Sequence, residues 1–262
     1  PRGDGPTMAR GLGHRIREML SACGRPIEQD DNFASRADSL LQGIERWRMA
    51  KTEDQRFLEV DIHPGETIAV IGDIHGDYTA VDRILRQLYP PDTDLTPETG
   101  PKIAFLGDLL DRGPRDFQVL ELVVALKDLF GDKLILLRGN HEELVVKSDR
   151  VASSARADET FFIAKYGERL GLDVMTTLAE FFEGLPHFVK LRHDRGNIGL
   201  LHGGVPPSFI ERKCETPFDY FDGNCWRSLL WGRPVTMSEG RPDRSYPFSM
   251  FYPEDVADFC ER

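Results

Sequence analysis

"GDIHGDY", residues 72–78, stands directly behind the apolar run Thr67-Ile68-Ala69-Val70-Ile71. A chain that has just written a strand fit for a dry interior ends it with a carboxylate, an imidazole and two glycines, residue types that a plain surface turn also tolerates. Recurrence decides between the two readings. "GDLLDRG" (107–113) follows the apolar "KIAFL" (102–106), "RGNHEE" (138–143) follows "KLILL" (133–137), and "HGG" (202–204) follows "IGLL" (198–201).

Between the first three runs the periodicity changes from strand to helix. Ala80, Val81, Ile84, Leu85 and Leu88 mark one amphipathic helix, closed by the Pro- and Thr-rich loop 89–101. Phe117, Leu120, Val123, Val124 and Leu126 mark a second over about 115–130, which Gly131 ends. Apolar strands joined by helical crossovers predict a parallel sheet buried on both faces. The carboxyl ends of such strands share one edge, where ligands bind, so the four polar clusters are expected to converge there.

Outward from this core, Ile16, Met19 and Leu20 predict one N-terminal helix, and Ala37, Leu40, Leu41, Ile44 and Trp47 a second, both packed on the body. A helical region is expected over about 157–184, with "FFIAKYGERL" and "MTTLAEFFEGL" as its apolar faces. "HFVKLRH" and "IGLLHGG", separated by "DRGN", read as a β-hairpin, and a last helix starts near Pro253. The domain reading is a single catalytic domain over 1–262: disordered at 1–12, helical over 13–65, and a catalytic core over 66–262.

The clusters contribute Asp73, His75, Asp108, Asp111, Arg112, Asn140, His141 and His202, a set of carboxylates, imidazoles and an amide without a thiolate. That donor set suits Mn²⁺, Fe or Zn²⁺ in a catalytic role rather than a structural zinc site. It exceeds what one ion needs; a pair roughly 3.5–4 Å apart, sharing a bridging carboxylate, would use it. The glycines beside each cluster permit tight turns and close approach. By contrast His14, His63, His187 and His193 lie outside the constellation and read as surface or structural residues. Phe161, Phe162, Phe181 and Phe182 read as core, and Cys214 and Cys225, near Trp226, as packing residues.

Composition narrows the partners. With 33 basic against 44 acidic residues the net charge is -11, which argues against general nucleic-acid binding or adhesion to anionic membranes. An anionic substrate must then be attracted locally, by metal ions or a few arginines. Four scattered cysteines without a CxxC pair suggest a reducing compartment, cytoplasmic or nuclear. No apolar run approaches the roughly 18 residues of a membrane span.

The order "GDIHG", "GDLLDRG", "GNHE", "HGG" resembles the phosphoprotein phosphatase family, the metal-dependent serine/threonine phosphatases of the calcineurin-like metallophosphoesterase superfamily, over most of the chain. The resemblance implies an α/β fold: a two-sheet β-sandwich with a βαβαβ metal site flanked by helices. It implies two metal ions (Mn²⁺, or Fe/Zn), the first held by Asp73 and His75, the second by Asn140 and His202, with Asp108 bridging. His141 would be the general acid, oriented by Asp111, and Arg112 would grip the phosphate beside Asn140. Arg244, in "RPDRSYPFSMF", sits where the family has a second phosphate-binding arginine. The implied reaction is hydrolysis of phosphoserine and phosphothreonine in protein substrates by in-line attack of a metal-bridging hydroxide, with regulatory subunits as further partners.

Departures from the family pattern set further expectations. The family's additional metal-binding histidine falls beyond Arg262, so the second metal site is expected to be incomplete here. Trp231-Gly232-Arg233-Pro234 replaces the usual "WSDP" or "WADP", and Leu109-Leu110 the usual Tyr-Val; these, with extra residues at 89–101 and about 146–158, point to a divergent, bacterial-like subgroup. Two other functions compete: a nucleotide hydrolase resembling diadenosine tetraphosphatase, disfavoured by Asp111 and Glu142, and a catalytically impaired phosphatase-fold binding module.

Overall fold

Helices α1 (Leu12–Cys23) and α2 (Phe33–Met49) form where the apolar spacing predicts them, and both lie on α4 (Asp116–Phe130). The computed structural model describes residues 11–27, 32–49, 56–153, 161–205, 229–231, 233–234 and 250–251. Arg244, Cys214, Cys225, Trp226, Cys260, the helix expected from Pro253 and the N-terminal stretch to residue 10 lie outside them.

The centre is a three-stranded parallel sheet in the order β2 (Ile68–Ile71), β3 (Lys102–Phe105), β4 (Leu134–Leu136), in register Ile71↔Phe105↔Leu136. Helix α3 (Tyr78–Leu88) and α4 make the two crossovers. Ile103, Phe105, Leu134 and Leu136 face the helices, in one core with Ile16, Leu40, Ile44, Val81 and Leu120. Ala104, Ile135 and Leu137 face the other way, onto Val189, Leu191 and Leu200 of a second sheet. Two dry faces explain why β3 and β4 read as unbroken apolar runs, whereas β2, at one edge, leaves Val70 exposed.

The second sheet has the order β1 (Phe57–Asp61), β7 (Phe188–Arg192), β8 (Ile198–Leu201), with β1 parallel and β8 antiparallel to β7. The predicted hairpin is β7–β8, with Phe188 opposite Leu201. Strand β1 corrects the helical reading of 13–65. "FLEVD" carries charges that strip it of a strong strand signal; Arg192 satisfies both, through Asp61 Oδ1 (2.8 Å) and Glu59 Oε2 (3.1 Å). A short ribbon pairs β5 (Leu144–Val146) with β6 (Val151–Ser153), and its turn and second strand fall in the segment read as extra residues. Helix α5 (Phe161–Glu183) breaks at Gly171, whose φ of 77° places the two predicted apolar faces on separate helical segments. A last ladder pairs β9 (Arg233–Pro234) with β10 (Met250–Phe251) in parallel. No helix of the described residues is long and apolar enough to cross a membrane.

Two buried polar residues of the helical layer differ in how they are satisfied. Arg36 donates to Glu121 Oε2 (2.6 Å) and to the Cys23 carbonyl (2.9 Å), pinning the α1–α2 connection to α4. Burial pushes the Cys23 thiol up to about 12, which removes it as a nucleophile. Asp116, in the first turn of α4, is fully buried and neither carboxylate oxygen has a hydrogen-bond partner among the described residues. Burial raises its pKa from 3.8 to about 6. A raised folded-state pKa means that the folded chain binds more protons than the unfolded one between those values, so stability falls as pH climbs through the window. Asp116→Asn, which cannot ionise, is therefore expected to melt higher than the parent at pH 8, by up to about 3 kcal/mol in stability, with the difference disappearing near pH 4. Equal melting shifts at both values would overturn this account of Asp116.

Candidate active site

The four polar clusters meet at one edge of the sandwich. Three leave the carboxyl ends of β2, β3 and β4, as the parallel sheet demands. The fourth differs from expectation: His202 follows β8 and reaches the site from the second sheet. His202 Nε2 lies 2.9 Å from Asn140 Oδ1 and 3.4 Å from Asp108 Oδ1.

Interlocked backbone builds the loops. His75 N–H donates to the Asp108 carbonyl (2.8 Å) and Gly76 N–H to the Leu109 carbonyl (2.9 Å), stitching the first cluster to the second. A Cβ on Gly113 would collide with the His75 carbonyl, and one on Gly139 with Asp108, which is why glycine occupies both places. In "GDIHGDY" the two carboxylates separate in role. Asp73 faces the site, whereas Asp77 caps α3 by accepting from Ala80 N–H (3.0 Å).

Among the described residues, the non-glycine residues with positive φ are His75 (46°), Asp108 (52°), Asp111 (69°) and Arg112 (64°), all of them predicted site residues. Such conformations cost about 1–3 kcal/mol each and persist only where neighbours enforce them. Glu142, fully buried, supplies much of that enforcement. Its Oε2 accepts from Asp108 N (2.7 Å) and Gly139 N (2.9 Å), and its Oε1 from Leu109 N (2.9 Å) and Leu110 N (3.3 Å). Burial raises its pKa to about 7 despite those donors. The sequence showed two adjacent acids in "RGNHEE" without telling which turns inward; Glu143 instead accepts from Trp231 Nε1 (2.9 Å). Glu142→Gln places an NH₂ group against backbone donors and is expected to lower stability by about 2–4 kcal/mol, read by chemical denaturation. A change below about 0.5 kcal/mol would refute this bracing role.

Among the described residues two groups of ligand-type atoms form, each with its members within 4.8 Å of one another: His75, Asp108 and His141, and Asp73, Asp108 and His202. Asp108 belongs to both. Asp73, a member of the second group, lies 3.8 Å from His202 Nδ1 and 3.9 Å from His75 Nε2 of the first. His75 Nδ1 meets the Leu110 carbonyl at 2.9 Å and His202 Nδ1 the Leu106 carbonyl at 3.0 Å. Each ring thus donates from Nδ1 to a main-chain carbonyl and turns Nε2 toward Asp108, the outer arrangement that orients metal-binding histidines.

His141, fully buried, is held from both ends. Its Nδ1 meets Asp111 Oδ2 at 2.9 Å, and its main-chain N–H donates to Asp108 Oδ1 at 3.0 Å. Burial opposes a charge on this ring, but the Asp111 hydrogen bond and the Asp108, Asp111 and Glu142 carboxylates outweigh it and raise its pKa. The exposed Arg112 spans the rings, with Nη1 2.8 Å from His75 Nε2 and Nη2 3.1 Å from His141 Nε2. The second oxygen of Asp111 accepts from the main-chain N–H of Phe162, at the start of α5, at 2.8 Å. That donor carries no side-chain signature. Phe162, Phe181 and Phe182 are core residues, as expected, and His187 is buried.

Residues 66–259 match the model of the calcineurin-like phosphoesterase family. A Caenorhabditis elegans protein whose name carries the words serine/threonine-protein phosphatase is 31% identical over 180 residues, 66% of this chain and 43% of that protein. The chain therefore spans less than half the length of that relative. A solved Saccharomyces cerevisiae protein serine/threonine phosphatase, described as similar to human phosphatase PP5, superposes with a TM-score of 0.62 at 20% identity, covering 93% of this chain and 70% of that one, and so shares the fold. A sandwich whose strand ends gather Asp73, His75, Asp108, Asn140 and His202, matched by the family model over most of its length, is a phosphoesterase architecture, and the chain belongs to the calcineurin-like phosphoesterase family.

Proposed function

We propose that this chain is the catalytic part of a metal-dependent protein phosphatase that hydrolyses phosphoserine and phosphothreonine. The observation that carries the reading is Asp108 shared by two ligand groups, with the His141–Asp111 pair and Arg112 directly beside them. The residues fit a pair of divalent cations such as Mn²⁺, or Fe and Zn: the donors are oxygen and nitrogen, and both candidate histidine ligands are oriented through Nδ1. Asp73 and His75 would hold one ion and Asn140 and His202 the other, with Asp108 between. Two such cations, when bound, supply Lewis acidity toward the phosphoryl oxygens and a nucleophile at neutral pH.

The chain's own residues do the rest. Were His75 Nε2 to hold an ion, Arg112 Nη1 would give up that lone pair and could offer its N–H to a phosphate oxygen. His141 delivers a proton to the departing serine or threonine oxygen, and Asp111 keeps its ring charged and turned toward that atom. Arg244, outside the described residues, is assigned to the phosphate on its sequence context alone.

The deciding experiment incubates the chain with Mn²⁺ and compares a phosphothreonine peptide with diadenosine tetraphosphate, alongside metal analysis. Faster turnover of the peptide, with bound metal, is expected. Preference for the dinucleotide would move the protein to nucleotide hydrolysis, and metal binding without turnover of either would leave a phosphatase-fold binding module.

A further inference from the structure

An aspartate that orients a catalytic imidazole must itself be oriented, and Asp111 has two oxygens for the task. One meets His141 Nδ1 at 2.9 Å. The other accepts the Phe162 main-chain N–H at 2.8 Å, in a fully dry setting: Asp111 is 2% exposed and Phe162 1%. The first amides of a helix have no acceptor within it and carry the positive end of its dipole, so the start of α5 both fills and holds the carboxylate. One turn later Lys165 Nζ donates to the Pro114 carbonyl, tying the same helix to the same "DRGP" loop. Asp111 sits at φ 69°, a conformation its own backbone does not favour, so its aim depends on these external contacts.

We propose that the Phe162 main-chain N–H is a positioning group for the reaction, setting the aim of His141 through Asp111. The start of α5 is then part of the working site through its main chain. This rests on the reading of His141 as proton donor to the leaving oxygen.

The test replaces the Phe162 peptide amide by an ester in the full chain, which removes the N–H and keeps the ring. With Mn²⁺, turnover is measured on dinitrophenyl, nitrophenyl and phenyl phosphates. Proton donation matters only when the leaving oxygen is basic. Phenyl phosphate turnover is expected to fall about tenfold, the worth of one hydrogen bond to a charged group, and dinitrophenyl phosphate turnover by less than about twofold. General structural damage would lower all three alike, and that pattern overturns the proposal. His141→Ala, run beside it, separates the two failures. A leaving-group dependence in His141→Ala but not in the ester variant overturns only the positioning role; its absence from both overturns the His141 reading and the positioning role with it. Should the ester variant not fold, amide hydrogen exchange decides. The Phe162 amide is expected to exchange at least about tenfold more slowly in the parent than in Asp111→Ala, and equal rates would overturn the proposal.

Discussion

Asp108→Asn is expected to lower turnover of p-nitrophenyl phosphate with Mn²⁺ by about 10³, the scale of removing a principal electrostatic element from a site. Asp108 is 2% exposed and shared by both ligand groups. Its Oδ2 lies 3.4 Å from His75 Nε2 and its Oδ1 3.4 Å from His202 Nε2. Asparagine retains an oxygen to accept the His141 N–H and tolerates the φ of 52°, so the loop keeps its shape. What it loses is the charge and one acceptor, which an NH₂ group replaces. Paired Mn²⁺ occupancy should be lost in a calorimetric titration. The metal-free variant should melt somewhat lower than the parent, because burial opposes the Asp108 charge but the hydrogen bond and charge of His202 and the His141 main-chain N–H outweigh it and hold its carboxyl below the usual range. A variant with unchanged Mn²⁺ stoichiometry and turnover within about twofold of the parent would remove Asp108 from the centre of the site.

The contrast between Asp108 and Glu142 shows where the sequence was legible. Strands β3 and β4 were readable because both their faces are dry, β2 because its apolar run persists although Val70 is exposed, and the glycine-flanked clusters behind them because tight turns at strand ends leave a periodic mark. Convergence of Asp73, His75, Asp108, Asn140 and His202 followed from that pattern, and the β7–β8 hairpin was readable too; what did not follow was that this hairpin joins β1 in a second sheet, so that His202 reaches the site from there. Strand β1 was hidden because Glu59 and Asp61 break its apolar character, and their partner Arg192 lies 131 residues beyond Asp61. The strained backbone at Asp108, Asp111 and Arg112 was equally invisible, since its support comes from the Glu142 carboxylate and the Phe162 amide rather than from neighbours in the chain.

His141→Ala is expected to lower turnover of a phosphothreonine peptide by about 10²–10⁴, the usual worth of a general acid. The ring is fully buried, its Nδ1 anchored on Asp111, and its Nε2 faces Arg112 at 3.1 Å, toward the open side of the site. Alanine leaves Asp111 with its Phe162 donor only and opens a cavity, so some stability is lost as well. Melting must therefore be measured with turnover. A loss of stability alone would slow every substrate in proportion to the unfolded fraction, and the chain remains folded as long as the cost stays below its total stability. Loss of proton donation instead burdens the substrate whose leaving oxygen is an alkoxide, because that oxygen departs unprotonated only at high energetic cost. The peptide should consequently suffer far more than p-nitrophenyl phosphate, while Mn²⁺ binding stays intact, since His141 is not assigned to either ion. Peptide turnover within about threefold of the parent would remove His141 from the reaction. Lost Mn²⁺ binding would reassign it as a ligand, the role its place beside His75 and Asp108 makes the nearest alternative.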